Sequence, residues 1–238
     1  FKRLIILGAA ICLGGLVSLQ AYLMMVPPIA NLSDFRPNMV TTFYSSDGEV
    51  IKTFNACTFS KVSISDVPKQ LQQAVIATED KNFYNHHGYD LLGLSRSMIE
   101  NVIAGHVVQG GSTITQQVAK NLYFTQEKNF TRKVAELFVS FDLERNYSKD
   151  EILELYINTI YYGKGYYGIW QASEGFYKKS PSELTDYEAT YLAGIPNAPS
   201  IYSSDRHASL AKQRQKQVVS AMIKYGYLTT DESAKIHE

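Results

Sequence analysis

The stretch VIATEDKNFYNHHGYD, residues 75–90, ends an apolar run in two carboxylates, Glu79 and Asp80, and follows them with two histidines, His86 and His87. Side chains of these types can do acid/base work or ligate a metal, or they can simply solvate a helix end. On a helical wheel, Val67, Leu71, Ala74, Val75 and Thr78 share one face. Glu79 falls between Val75 and Ile76 in angle, while Asp80 points about 100° away. The two acids therefore cannot act as a matched pair, and only Glu79 has the apolar neighbours that fit a carboxylate for general acid or base catalysis. A frayed helix end with solvated acids stays open on this stretch alone. Metal ligation needs convergent ligands, and no HExxH-like pair one helical turn apart is present. The histidines are expected to fix the loop by hydrogen bonds, with Gly88 supplying a turn.

Two further stretches carry polar groups at helical spacing. In GGSTITQQVAKNLY, residues 110–123, Ser112 or Thr113 can cap a helix on which Gln116 and Lys120 share a face. An anion or sugar at that helix start would meet free N–H groups, with Lys120 adding charge a turn later; an ordinary capped helix is the alternative. In NFTRKVAELFVSFDLER, residues 129–145, Arg132 and Glu136 stand four apart with Lys133 adjacent, the spacing of a surface ion pair, and Leu137, Phe138 and Phe141 are expected to anchor the helix in the core. Trp170, the only tryptophan, lies in the Gly- and Tyr-rich stretch YYGKGYYGIWQASEGFYKK. Core packing is expected for it, although a loop of this composition can also shape a sugar-binding cleft.

These groups must be positioned by a chain of 238 residues with 23 basic and 23 acidic side chains, which gives no bulk charge to hold nucleic acid. Cys12 and Cys57 do not indicate a disulfide framework. After Lys2 and Arg3, the run from Leu4 to Val26 carries no charge and is closed by Pro27 and Pro28. As a helix it would span about 30–35 Å, enough for a bilayer. A cleaved signal peptide is the alternative, but the run is long for one and lacks a small-x-small cleavage site. The positive-inside rule then puts the remainder outside the cytoplasm. Residues 29–39 read as a linker, and VTTFYSSDGEVIKTF as a hairpin turning at Ser46-Asp47-Gly48. From Asp66, a plausible N-cap with Pro68 in the first turn, the pattern is helical. Helices are expected after Gly111, over 129–145, 149–160 and 168–177, at a Thr185/Glu188 capping box, and from about Ala208 to Gly226. The expected division is an anchor over 1–28, a linker and hairpin region over 29–64, and a catalytic domain over 65–238.

In order along the chain stand EDKNFYNHHG, GGSTITQQ, RKVAE, KDEILELYINTIYYGKGYYGI and SELTDYEATYLAGIPNAPSIY. In this order and spacing the chain resembles the family 51 glycosyltransferases, the peptidoglycan glycosyltransferase domain of penicillin-binding proteins and of monofunctional transglycosylases, over about residues 40–227. The resemblance implies a mainly helical, lysozyme-like fold in two lobes, docked at the membrane, that polymerises lipid II into β-1,4-linked glycan with release of undecaprenyl diphosphate. By that likeness Glu79 is the general base and Glu136 the second carboxylate. Lys120, Lys128, Arg132 and Lys133 match or adjoin the positions that meet the diphosphate. Ser112, Gln116 and Gln117 match the substrate-contacting motif, which includes Thr113, and Asp80, Phe83 and His86 carry over with the first motif.

Two stretches depart from the family. Lys128 stands where the family often has arginine, turning a bidentate phosphate contact into a point charge. GKGYYGIWQASEGFY replaces a usually alanine-rich segment. No cofactor is required; Mg or Mn could assist at the diphosphate, but the sequence shows no dedicated metal cage. Implied partners are lipid II, the growing strand, the bacterial membrane and cell-wall synthesis or division proteins. A monofunctional enzyme is expected, a truncated bifunctional one being the alternative. Two other functions compete: a lysozyme-like glycan hydrolase, which also uses a buried glutamate, and a non-catalytic glycan-binding scaffold.

Overall fold

A computed structural model of the chain describes residues 8, 10, 13–18, 20, 40–55, 60–105, 110–124 and 130–236. The chain is mainly helical, and its described residues from 40 onward divide into two compact units, one within 82–153 and the other within 40–81 and 154–236. Most of the expected anchor, and the linker over 29–39, lie outside the described residues. Among those described, residues 13–18 are helical with Leu13, Leu16 and Val17 exposed, and no helix is long and apolar enough to cross a membrane.

The second unit opens with strands β1 (Val40–Tyr44) and β2 (Val50–Asn55), an antiparallel pair with Val40 opposite Asn55 and an irregularity between Phe43 and Tyr44. Gly48 at the turn has φ 86°, the left-handed conformation such turns favour. Its helical core is formed by α1 (Lys69–Glu79) packed on two helices from the far end of the chain, α7 (Asp186–Gly194) and α9 (Ala208–Lys224). Leu71, Ala74, Val75, Ile76 and Ala77 of α1 are buried, a broader stripe than one face, because two helices cover it. Opposite them α7 buries Ala189, Leu192 and Ala193, and α9 buries Ala211, Val218 and Met222. Asp66 does not cap α1: it closes a 3-10 turn, Ile64–Asp66, and the helix starts later, after Pro68. The entry is held by side chains instead. Gln72 Nε2 donates to the Ile64 and Val67 carbonyls, and Val62 exchanges two hydrogen bonds with the Asn158 amide.

The first unit contains α2 (Leu91–Ala104), α3 (Ile114–Tyr123), α4 (Phe130–Asn146) and the start of α5 (Lys149–Thr159), whose remainder belongs to the second unit. Helix α3 packs along α4, burying Ile114, Val118 and Ala119 with Ala135, Val139 and Leu143. Two expected anchors of α4 are not in this core: Leu137 is 40% and Phe141 52% exposed. The second unit continues through α6 (Gly168–Tyr177), the short helices α8 (Pro199–Tyr202) and α10 (Thr230–Ser233), and 3-10 turns. Trp170, expected in the core, stands on the outside of α6 at 39% exposure.

Candidate active site

Glu79 is the last residue of α1. Asp80 leaves the helix with φ −157°, its N–H still donating to the Ile76 carbonyl, and turns into the protein at 7% exposure. The wheel does not apply past the helix end, so neither acid is a solvated terminus. The Glu79 side chain is 12% exposed, and its Oε1 lies 3.9 Å from Nη2 of Arg214, itself 16% exposed. That separation is an ion pair without a hydrogen bond. Arg214 is held on α9 by Nε donating to the Gly194 carbonyl and Nη1 to Gln217 Oε1. Tyr156, fully buried on α5, completes the surroundings. Burial pushes its hydroxyl well above the usual tyrosine range, the Glu79 charge and Tyr162 add to this, and the Arg214 charge opposes it. Just beyond Asp80, Lys81 Nζ donates to the Tyr225 hydroxyl and stands over that ring, fixing the chain as it leaves the site.

Within the first unit the loop after Asn82 is locked from several sides. Phe83 is fully buried under the Lys149 ammonium and edge-on to His86, which is buried, whereas His87 is exposed. Asp90 caps α2 by accepting from the Gly93 N–H, and it also accepts from the Asn82 amide. Desolvation pulls the Asp90 carboxyl up, but the Gly93 and Asn82 hydrogen bonds and the His86 and Arg96 charges outweigh it and hold the group below the usual range. Gly88 has φ 85°, and a Cβ there would stand 3.0 Å from the Ser140 carbonyl oxygen of α4. Gly88→Ala combines left-handed strain with a backbone collision and is expected to cost about 2 kcal/mol. A urea midpoint within error of wild type would show that the loop can relax.

Thr113 joins this loop to α3. Its hydroxyl donates to the Gly88 carbonyl and accepts from the Gln116 N–H, while Gln116 Oε1 accepts from the Thr113 N–H in a reciprocal cap. The Gln116 side chain is thereby buried and occupied in holding the helix start, and Gln117 is half-buried. Lys120 lies in the last turn of α3, about 9 Å along the axis from the first residue. The expected surface ion pair on α4 is instead buried. Glu136 is 1% exposed, with Oε1 2.5 Å from Arg132 Nη1 and Oε2 2.8 Å from Lys133 Nζ. Lys133 also donates to Ser112 Oγ at 3.2 Å, which brings the second and third motifs together. Two cations on one carboxylate leave a net positive charge, and the half-exposed Lys133 ammonium is the member open to an anion. Behind this cluster, Glu144 Oε1 accepts from Thr115 and pairs with Lys149, tying the first turn of α3 to α4 and α5.

Lys128 lies outside the described residues. The cluster does not fit a metal: among the described residues no three His, Cys, Asp or Glu side chains converge, and both Glu136 oxygens are engaged by cations. Arg214 and Tyr156, which stand beside Glu79, are candidates that the sequence reading missed. Arg214 carried no local signal, since its partner is far away in the chain. Tyr156 lies on α5 within KDEILELYINTI, where only its residue type marked it.

The transglycosylase family profile matches residues 47–223, from the hairpin turn to the end of α9. Penicillin-binding protein 1A of Neisseria flavescens is 44% identical over 204 residues, covering 86% of this chain and 26% of that protein. Penicillin-binding protein 1F of Bacillus subtilis is 45% identical over 172 residues, 72% of this chain and 24% of that protein. The chain thus spans about a quarter of the length of the curated relatives it matches. With the profile running through the Glu79 helix, the Thr113 cap and the Arg132–Lys133–Glu136 cluster alike, the chain belongs to the transglycosylase family.

Proposed function

We propose that the chain is an inverting peptidoglycan glycosyltransferase that polymerises lipid II at the outer face of the cytoplasmic membrane. The observation that carries this reading is the buried end of α1, where the Glu79 carboxylate is held 3.9 Å from an arginine. Glu79 takes the proton from the 4-hydroxyl of the acceptor N-acetylglucosamine as that oxygen attacks the anomeric carbon of the donor N-acetylmuramic acid. The new C–O bond forms on the face opposite the α-linked diphosphate, whose C–O bond breaks as undecaprenyl diphosphate leaves. Negative charge grows on that leaving group, and preset cations stabilise it. Lys133, with Arg132 behind it, and Lys120 serve in this role, Lys128 adding a further charge. Glu136 holds the first two in place. Ser112, Thr113, Gln116 and Gln117 form the helix start beside these cations, while Phe83 and His86 hold the loop that Thr113 ties to it, and Asp80 follows the base at the end of α1.

A lipid-linked substrate needs a membrane-bound enzyme, and two features support one. The uncharged run from Leu4 to Val26 serves as the anchor. Helix α2 leaves Leu91, Leu92, Leu94, Val102 and Ile103 exposed, four of them by 64% or more, an apolar surface suited to a bilayer rather than to water. In a variant lacking Cys12 and Cys57, an environment-sensitive fluorophore at Leu92→Cys is expected to shift to the blue on reconstitution into vesicles. A water-like spectrum there would remove α2 from the membrane contact.

The hydrolase alternative is decided by offering the purified protein labelled lipid II and, separately, labelled preformed glycan. Polymer from the first and no soluble fragments from the second is the expected outcome. Fragments from preformed glycan would make the chain a hydrolase, and inertness toward both would make it a scaffold.

A further inference from the structure

The end of the Gly- and Tyr-rich stretch YYGKGYYGIWQASEGFYKK supplies side chains that the chemistry at Glu79 does not use. Phe176, Tyr177 and Lys179 meet the starts of α7 and α9 around a cavity of about 560 Å³, within the size range of small-ligand sites and wholly inside the second unit. Local structure builds it. Lys178 closes α6 in the left-handed conformation at φ 58°, and Ser173 Oγ donates to the Lys179 carbonyl, which returns the chain toward α7. Lys179 Nζ then donates to both Glu188 oxygens, at 2.7 and 2.9 Å, while Glu188 also accepts from the Thr185 N–H in the capping box. One turn apart on the same helix, the half-buried Tyr187 and Tyr191 stack with ring centroids 6.2 Å apart and planes at 27°.

This lining selects among ligand classes. Lys179 and Glu188 neutralise each other and Lys212 is the remaining charged residue of the wall, so at most one charge is uncompensated, too few for a diphosphate. An acyl chain would bury the ion pair and the tyrosine hydroxyls without giving them partners. A neutral sugar suits both parts. The face of an aromatic ring is electron-rich and packs against the C–H face of a pyranose. An ammonium has three donors; Glu188 takes two from Lys179, which leaves one for a hydroxyl or acetamido oxygen. We propose that this cavity is a subsite for the β-1,4-linked glycan strand, which it holds while the next unit is joined at Glu79. The proposal rests on the reading of the chain as a glycan polymerase. Tyr187 and Tyr191 stand within about two helical turns of Gly194, whose carbonyl holds Arg214 beside Glu79, close enough for one strand to occupy both places.

In the test, the full chain in detergent is titrated with the tetramer of β-1,4-linked N-acetylglucosamine, and its polymer from lipid II is sized on a gel. Tyr187→Leu with Tyr191→Leu keeps apolar bulk on α7 and removes both ring faces. It is expected to weaken tetramer binding about tenfold and to shorten the glycan ladder, with melting temperature and the initial rate of lipid II consumption near wild type. Tyr187→Phe with Tyr191→Phe retains the rings and is expected to keep both affinity and ladder. Unchanged affinity or an unchanged ladder in the leucine variant overturns the proposal, as does a phenylalanine variant that binds as weakly as the leucine one. Should the leucine variant melt early, Lys179→Gln reads the same cavity from its polar side: it must also weaken the tetramer, and full affinity there overturns the proposal. A short uncharged peptide that binds through these tyrosines while the tetramer does not would assign the cavity to a peptide instead. The two readings fail separately. A wild type that binds the tetramer here but makes no polymer sinks the polymerase and leaves a glycan site, whereas polymer of unaltered length from the leucine variant sinks only the subsite.

Discussion

Glu79→Gln is expected to lower the rate of lipid II polymerisation about 1000-fold, within the range that a positioned general base contributes, while KM stays near wild type. Glutamine keeps the shape of the side chain at the end of α1 and loses the proton acceptor. The helix should be retained, since its core contacts come from Leu71, Ala74, Val75 and Ile76 rather than from Glu79. The exchange does leave Arg214 without its counter-charge, so a modest fall in melting temperature accompanies the kinetic loss. A cooperative melt and an unchanged circular dichroism spectrum establish that the fold survives. Turnover within a few-fold of wild type would remove Glu79 from the chemistry.

Glu136→Ala should cost stability as well as activity. Breaking a buried ion pair by removing one partner typically costs about 3–5 kcal/mol, because the other charge is left uncompensated. Here that charge is Arg132, 14% exposed, whereas Lys133 at 47% is screened by water and adds little. A loss of about 3 kcal/mol is therefore expected, read from the urea midpoint at unchanged slope. The double variant Arg132→Met with Glu136→Leu removes both charges and fills the space. It should recover most of the stability but not the polymerisation rate, because it also removes the arginine proposed to serve the leaving diphosphate. A stability change below about 0.5 kcal/mol in Glu136→Ala would place the pair among ordinary surface ion pairs.

The contrast between these glutamates shows what can be read from sequence. The setting of Glu79 was legible in part: its neighbours in angle, Val75 and Ile76, are buried as the periodicity indicates, but the stripe is broader than one face and Asp80, read as pointing away, is buried as well. The Thr185 capping box, the hairpin and the end of α9 just before Gly226 were legible for the same reason, as was a cap on α3 at Ser112 or Thr113, which the structure assigns to Thr113: each is decided within a few residues. On α4 the reading was rotated. Glu136 points into the packed side against α3 and the neighbouring Leu137 points out, although both residue types argue the reverse. Tertiary pairing with Arg132 and Lys133 makes the buried carboxylate tolerable, and no local pattern announces that.

Helix α2 escaped separate prediction for a related reason. Its apolar residues do not mark a buried stripe, as periodicity arguments assume; most of those described are exposed. Asp66 looked like a cap because of its residue type, yet Gln72 and Asn158 secure the entry to α1. Arg214 is the clearest case of a feature beyond local reading. Its position depends on how closely α9 approaches α7 at Gly194, which only the fold determines.

The central claim is that this chain transfers a glycosyl unit with inversion, one linkage for each diphosphate released. The most direct test follows both products when the full chain in detergent or vesicles is given lipid II labelled in the sugar and in the lipid. The account predicts a glycan ladder that a β-1,4-specific muramidase digests completely, with one undecaprenyl diphosphate released per linkage formed. Diphosphate released without polymer, or a polymer that resists the muramidase, would contradict it.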